Sequence, residues 1–179
     1  MNRRDFLALS GTAFLCSAVP GASSALGANT VRSLRMYNVH NNEHIFVPYW
    51  VNGRYHRKGL SALNSFFRDW RTNDVKNIDA RLFDILYALQ QQSPNPNNPI
   101  ELVSGYRSPK TNAALRKGSS NVAKNSLHPK GMASDIRIRG MRLKTLKDNA
   151  VALKKGGVGY YPQQRNNFVH VDTGGVRYW

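Results

Sequence analysis

The sequence predicts a compact, single α+β domain in which a small antiparallel sheet packs against helices. Its 179 residues suit one hydrophobic core. Apolar residues make up 41% of the chain and charged residues 20%, which is typical of globular proteins. After an initial hairpin come helical patterns, and then mostly short strands with helices between them, an order that favours the α+β class.

The first half of this domain is predicted to contain the hairpin and two helices. Strands at residues 31–38 and 44–50 flank a polar turn, "HNNE". Large apolar residues at helical spacing predict a helix from about Gly59 to Trp70, and "IDARLFDILYALQQQ" repeats the pattern with Asp79 in its first turn. We expect both apolar stripes to lie in the core.

The second half is predicted to alternate strands, loops and helices. "SPNPNNP" is a loop by composition, and "IELVSG" is a strand. Pro109 fits the first turn of a helix that ends near Lys117, and "GSSNVAKNS" is a polar loop. "ASDIRIRG" is a strand, "LKTLKDNAVALKKGG" is an amphipathic helix with a glycine stop, and "VGYY" and "FVHVD" are strands.

The amino terminus has the pattern of an export signal. Arg3 and Arg4 precede an apolar run from about Phe6 to Val19, and small residues follow up to Ala28. The run is short for a membrane span, and "NRRDFLAL" is similar to a twin-arginine signal. The sequence therefore predicts a signal peptide at residues 1–28, a mature domain at 29–179 and a periplasmic location, with no stable membrane insertion after cleavage.

Composition and net charge indicate which class of partner the chain binds and which residue types can serve as metal ligands. The formal net charge of +16 favours an anionic partner, and for an exported protein the cell wall is the leading one. Export and the lack of a recognisable DNA- or RNA-binding motif argue against nucleic acid. The one cysteine, Cys16, lies in the predicted signal, so a metal site in the mature chain has to use His, Asp or Glu.

Strand periodicity places two ionisable side chains together near the carboxyl terminus. In "FVHVD", Val169 and Val171 share one face of the strand, and His170 and Asp172 share the other. Two ionisable side chains on one face of an apolar strand are typical of a functional site, although an ordinary exposed sheet face would show the same pattern. The remaining histidines lie in or beside polar turns and are expected to be solvated: His40, His44 and His56.

A second stretch, "SLHPKGMASD", supplies two further candidate ligands. Asp135 opens a strand on the face opposite Ile136, and His128 lies in the preceding loop. If this strand pairs with the one carrying His170, the three side chains converge. Two histidines, a carboxylate and a water form the open zinc site of a hydrolase. A solvated histidine beside an ordinary strand aspartate is the alternative.

These motifs resemble a family of zinc peptidases. "SLHPKGMASD" matches S-x-H-x-x-G-x-A-x-D, and "FVHVD" matches the distal histidine, of the peptidases related to D-Ala-D-Ala carboxypeptidases, D-Ala-D-Ala dipeptidases and the hedgehog signalling domain. The chain most resembles the murein endopeptidase K (YcbK-like) group, through "SFFRDWR", "IDARLFDILYALQ", "SGYRSPKTN", "GGVGYYP" and "NFVHVDTG". The resemblance covers essentially the whole chain and implies a hedgehog/D-Ala-D-Ala peptidase-like fold.

The resemblance also implies roles for individual residues. His128, Asp135 and His170 would be the ligands of one Zn²⁺ per chain. Arg107, in "SGYRS", would stabilise the oxyanion or bind a substrate carbonyl; a surface salt bridge is the alternative reading. Ser126 could hydrogen-bond near the metal loop, or serve only its local turn.

One position departs from the family pattern. Many relatives carry Glu or Asp as general base three residues before the distal histidine, where this chain has Asn167. Asp172 is then the candidate base, with support of a ligand histidine as its alternative role. A metal-activated water that needs no carboxylate base is a third possibility.

The resemblance therefore implies a zinc-dependent murein endopeptidase that hydrolyses amide bonds in peptidoglycan cross-link peptides. The alternative is a non-catalytic cell-wall-binding module with a structural metal site. A monomer is the default expectation for the oligomeric state of the chain.

Overall fold

The computed structural model describes residues 31–118, 125–163 and 167–179, which form one eight-stranded sheet with helices packed on it. The strands are β1 Val31–Asn38, β2 His44–Val51, β3 Arg54–Tyr55, β4 Ile100–Ser104, β5 Ala133–Ile138, β6 Gly157–Tyr161, β7 Phe168–Asp172 and β8 Arg177–Tyr178. The helices are α1 Arg57–Phe66, α2 Ala80–Gln91, α3 Pro109–Gly118 and α4 Leu143–Leu153, with a 3₁₀ turn at His128–Lys130.

The sheet confirms the predicted α+β class but is neither small nor wholly antiparallel. The strand order is β3-β2-β1-β4-β5-β7-β6-β8. β1 pairs with β4, and β6 with β8, in parallel orientation, whereas the other neighbours are antiparallel. The parallel β1–β4 pair arises because the chain crosses through α1 and α2 before β4 begins, and parallel strands require such a crossover.

The core lies between one face of the sheet and the helices α1, α2 and α4. Alternation within the central strands sends Leu102, Ile136 and Val169 into this core. Their strand neighbours point to the opposite face, which we call the open face. The other fully buried large side chains come from β1, β2, the start of β4, the helices and the residue that follows α1: Leu34, Met36, Tyr49, Leu63, Phe67, Leu82, Phe83, Leu86, Leu89 and Ile100.

The predicted first helix ends earlier than its apolar pattern suggested. α1 stops at Phe66, and Trp70 lies beyond it, 38% exposed and outside the core. The reason is Asp69, whose buried carboxylate accepts hydrogen bonds from the backbone N–H groups of Arg71 and Ser108. These bonds hold a tight turn that a continuing helix could not form.

Two short strands, β3 and β8, were not predicted from the sequence. β3 follows a turn at Asn52 and Gly53, both with positive φ, which returns the chain beside β2. β8 has two residues and pairs with β6 at the carboxyl terminus. Neither strand is long enough to show alternation.

Two sequence predictions fall outside the described residues. The predicted export signal lies entirely there, and so does most of the polar loop "GSSNVAKNS". Within the described ranges, no helix is both long and apolar enough to cross a membrane.

Gly59 provides a test of the packing between α1 and β2. A Cβ at Gly59 would collide with the carbonyl oxygen of Pro48 and lie 2.9 Å from its carbonyl carbon. We expect Gly59→Ala to lower the free energy of unfolding by about 1–3 kcal/mol through overpacking. The helical Gly118 is the matched control, because no atom of the described residues outside its own helix lies within 4 Å of its Cβ position, and alanine there should be neutral or stabilising by up to about 1 kcal/mol. Urea unfolding of both variants measures the difference, and equal effects would contradict this account.

Candidate metal centre

His128 lies in the 3₁₀ turn before β5, next to the end of the central strand β4. Its ring is 1% exposed, and Nδ1 lies 2.7 Å from the carbonyl oxygen of Gly105, so Nδ1–H donates to that oxygen. This bond selects the tautomer in which Nε2 carries the lone pair. Nε2 lies 3.2 Å from Oδ1 of Asp135.

Asp135 and His170 face each other across two paired strands. They are direct partners in the antiparallel β5–β7 pair, which confirms the predicted pairing of these strands. Nδ1 of His170 lies 2.8 Å from Oδ1 of Asp135. Val169 and Val171 point into the core while His170 and Asp172 contact each other on the other face, as the alternation predicts.

The three side chains therefore direct their potential metal-ligand atoms at one point. The candidate ligand atoms of His128, Asp135 and His170 all lie within 4.8 Å of one another. Two imidazole nitrogens approach the same carboxylate oxygen, a donor set of the type that zinc takes in open catalytic sites. The residues present fit a zinc ion.

Burial and mutual contacts set the protonation of the cluster. Burial lowers the pKa of His128, which keeps the imidazole neutral, as a ligand must be. Burial opposes ionisation of Asp135, but the two histidines outweigh it and hold the pKa of Asp135 far below its usual value. Burial also opposes charge on His170, yet hydrogen bonds to Asp135 and Asp172 raise its pKa to about 9. A metal ion at Nδ1 of His170 would compete with a proton there.

Asp172 is held behind His170 by several donors. Its Oδ2 lies 3.1 Å from Nε2 of His170 and accepts from Nη2 of Arg177 at 2.6 Å. Its Oδ1 accepts from the N–H groups of Gly157 and Gly174. The side chain is fully buried, so its oxygens are directed at these partners and away from solvent.

Arg107 follows β4 at the end of the sheet that carries the cluster. Its Nη2 donates to Oγ of Ser126 at 3.1 Å, and the same oxygen accepts weakly from the N–H of His128. Its Nε is buried and has no hydrogen-bond partner among the described residues. Burial lowers the pKa of Arg107, while the charge of Asp135 opposes this. A buried guanidinium N–H without a partner is a candidate donor for a ligand.

The other positions singled out in the sequence differ in their exposure to solvent. Asn167 is exposed just before β7. His44 is exposed as expected, but His40 is half-buried, stacks on Trp70 with ring centroids 4.3 Å apart, and bonds through Nε2 to the carbonyl of Val103. His56 is also half-buried. The expectation of solvated rings was wrong for both, because turn composition does not reveal what packs over a turn.

Gly131 ends the 3₁₀ turn that carries His128. It has a φ of 70°, and a Cβ there would lie 2.6 Å from the carbonyl oxygen of Asn77. Backbone conformation and a neighbouring loop therefore require glycine.

The carboxyl terminus supplies groups that sequence reasoning had not placed at the site. The ring of Trp179 lies 5.4 Å from that of His170, and its Nε1 donates to the hydroxyl of Tyr161. Arg177 donates hydrogen bonds to both carboxylate oxygens of Asp172. The only sequence signal was the aromatic and basic character of "VRYW", which has no periodicity to place it.

Comparison with known proteins assigns the family. The family model described as "Peptidoglycan L,D-endopeptidase MepK" matches residues 26–179. The chain is 44% identical to Peptidoglycan L,D-endopeptidase MepK of Escherichia coli K12, with 99% of this chain and 97% of that protein covered. It is 40% identical to the probable peptidoglycan L,D-endopeptidase MepK of Haemophilus influenzae, with 99% and 95% covered. The chain therefore belongs to the MepK family of peptidoglycan L,D-endopeptidases.

Proposed function

We propose that the chain is a zinc-dependent peptidoglycan endopeptidase that hydrolyses peptide cross-links in the periplasm after twin-arginine export. The observation that carries the proposal is the convergence of His128, Asp135 and His170 within 4.8 Å, in a chain of this family. A zinc ion held there would activate water and polarise the scissile carbonyl. The excess of basic residues, a net charge of +16 before the proposed signal peptide is removed, would attract a polymer rich in carboxylates.

The chain's own residues would position the substrate and the ligands. Arg107 has a buried Nε free of partners among the described residues, and this N–H would donate to the carbonyl oxygen as negative charge develops on it. The rings of His128 and His170 donate hydrogen bonds to the carbonyl oxygen of Gly105 and the carboxylate of Asp172, and these bonds keep both imidazoles oriented.

The relatives' names favour one kind of cross-link. An L,D-endopeptidase cuts an amide between an L centre and a D centre, the arrangement of the cross-link between two diaminopimelate residues. The cross-link from D-alanine to diaminopimelate has D centres on both sides. We therefore propose the diaminopimelate–diaminopimelate amide as the substrate bond.

Purified cross-linked dimers test this proposal. The zinc-loaded mature chain is incubated with each kind of dimer, and the products are identified by mass. We expect the diaminopimelate-linked dimer to give monomers and the D-alanine-linked dimer to stay intact. Cleavage of the D-alanine-linked dimer alone would overturn the bond assignment. Two intact dimers despite bound zinc would overturn the activity and favour the non-catalytic wall-binding module.

Asp172 is proposed to support His170 instead of acting as the general base. Its buried carboxylate accepts hydrogen bonds from His170, Arg177 and two backbone N–H groups. Burial raises the pKa of Asp172, but the hydrogen bonds from His170, Gly174 and Gly157 outweigh it and lower the pKa to about 2. We expect Asp172→Asn to weaken zinc affinity about 10–100-fold. At saturating zinc, kcat should stay within about tenfold of the parent chain. A fall of about 10²–10⁴-fold at saturating zinc would instead identify Asp172 as the base.

A further inference from the structure

The open face of the sheet continues from the metal centre towards the opposite end of the strands. Tyr37, Glu101 and Arg137 are direct cross-strand partners on β1, β4 and β5. Asp135 and His170 lie on the same face, one row nearer the end where the metal centre is found. A substrate at the metal centre would therefore lie on a surface that extends across these three strands.

A cavity of about 340 Å³ lies at the far end of this face. The residues that define its chemistry are Arg35, His44, Phe46, Asn97, Pro99 and Arg139. Arg35 and Phe46 are direct partners on β1 and β2, and the guanidinium lies over the Phe46 ring at 4.3 Å from its centroid. Phe46 is 63% exposed, so its ring offers an apolar surface beside the Arg35 guanidinium.

The positive charge of this cavity is only partly neutralised. No carboxylate lies within ion-pair distance of Arg35 in the ranges that the structure describes. Arg139 contacts Oε1 of Glu101 at 3.4 Å, but Arg137 already donates to Oε2 of the same carboxylate at 2.9 Å. One acidic group thus serves two guanidinium groups, and Arg35 remains available for an external carboxylate.

The cavity is within reach of a substrate bound at the metal centre. Asp135 and Arg139 are four residues apart along β5 and its end, which corresponds to about 13 Å. A peptide of four extended residues spans a similar distance. A neighbouring peptide of a cross-linked polymer could occupy the cavity while the cross-link lies at the metal.

We propose that the cavity lined by Arg35, Phe46 and Arg139 is a second substrate-binding site, which holds a carboxylate-bearing stem peptide of peptidoglycan next to the cross-link that is cut. This inference rests on the proposed function for its choice of polymer. The guanidinium groups supply charge-assisted hydrogen bonds, and Phe46 supplies an apolar surface for the peptide.

Binding to insoluble peptidoglycan tests this site separately from catalysis. The mature chain is mixed with purified peptidoglycan in chelator, so that no metal-dependent cleavage changes the polymer, and the bound fraction is measured by sedimentation. Arg35→Glu should weaken binding about tenfold, the loss of one charge-assisted contact. Arg57→Glu makes the same charge change in the first turn of α1, on the other side of the sheet, and should change binding less than twofold. Thermal unfolding of both variants verifies that they are folded.

A modified polymer tests the chemistry of the ligand. When the carboxylates of peptidoglycan are converted to amides, we expect the parent chain and Arg35→Glu to bind equally weakly. Equal losses for Arg35→Glu and Arg57→Glu would overturn the inference, because net charge and not this cavity would then govern binding. A preference for the parent chain that survives amidation would overturn the carboxylate assignment.

The outcomes separate the two proposals. A chain that cleaves soluble dimers but shows no Arg35-dependent binding refutes the second site and leaves the proposed function intact. A chain that binds peptidoglycan through Arg35 but cleaves neither dimer refutes the activity and supports the second site.

Discussion

Asp135→Asn is expected to remove zinc binding and lower kcat/KM by at least about 10³-fold, the largest effect of any single change in this chain. Oδ1 of Asp135 faces both candidate histidine ligands, at 3.2 and 2.8 Å, and it supplies the only negative charge among the three ligands. Asparagine keeps the volume but is a much poorer ligand for zinc. A bound metal contributes several kcal/mol to transition-state stabilisation, and each 1.36 kcal/mol is worth about tenfold in rate.

A second aspartate provides the matched control for this variant. Asp84 accepts hydrogen bonds from Arg32, Tyr49 and Tyr55, away from the cluster. Asp84→Asn should reduce stability but leave the zinc content of the folded protein at one ion per chain. Metal analysis and dimer cleavage are measured for both variants. Full activity in Asp135→Asn, with zinc retained, would contradict the assignment of the metal centre.

Arg107→Ala is expected to lower kcat by about 10²–10³-fold while zinc stays bound, the second-largest effect. The reason is that removal of one oxyanion donor typically costs about 3–4 kcal/mol. The unpartnered Nε of Arg107 is the donor proposed for this role, and its other contact is to Ser126, not to a metal ligand. Arg107→Lys keeps the charge but loses the planar donor geometry, so it should restore only part of the rate.

Arg116, exposed on α3, is the control for Arg107. Arg116→Ala should leave kcat unchanged. If Arg107→Ala raises KM and leaves kcat unaltered, Arg107 contributes uniform binding and not transition-state stabilisation. If Arg107→Ala lowers only the melting temperature, the role of Arg107 is structural.

The ligand set could be predicted because it depends on local periodicity. Alternation in β7 fixes that His170 shares a face with Asp172, and the pairing of β5 with β7 then places Asp135 opposite His170. His128 is close in sequence to Asp135, so the turn between them brings it to the same end. The boundaries of β1 and β7 agree with the prediction, whereas β5 begins at the predicted residue but ends at Ile138, before the predicted Gly140.

The support around the ligands could not be predicted, because it comes from contacts between distant segments. Arg177 reaches Asp172 from a two-residue strand, and His40 stacks on Trp70 through a turn formed by Asp69. The mixture of parallel and antiparallel pairs in the sheet also depends on contacts between distant segments. No pattern within β1 or β4 shows that these strands, separated by two helices, lie side by side and parallel.

The most direct test of the central claim is a zinc titration of the metal-free mature chain, with cleavage of the diaminopimelate-linked dimer as the readout. If His128, Asp135 and His170 form one catalytic metal centre, activity rises from zero and reaches its maximum at one equivalent of zinc per chain. Full activity without metal, or no activity at one bound equivalent, would contradict the account.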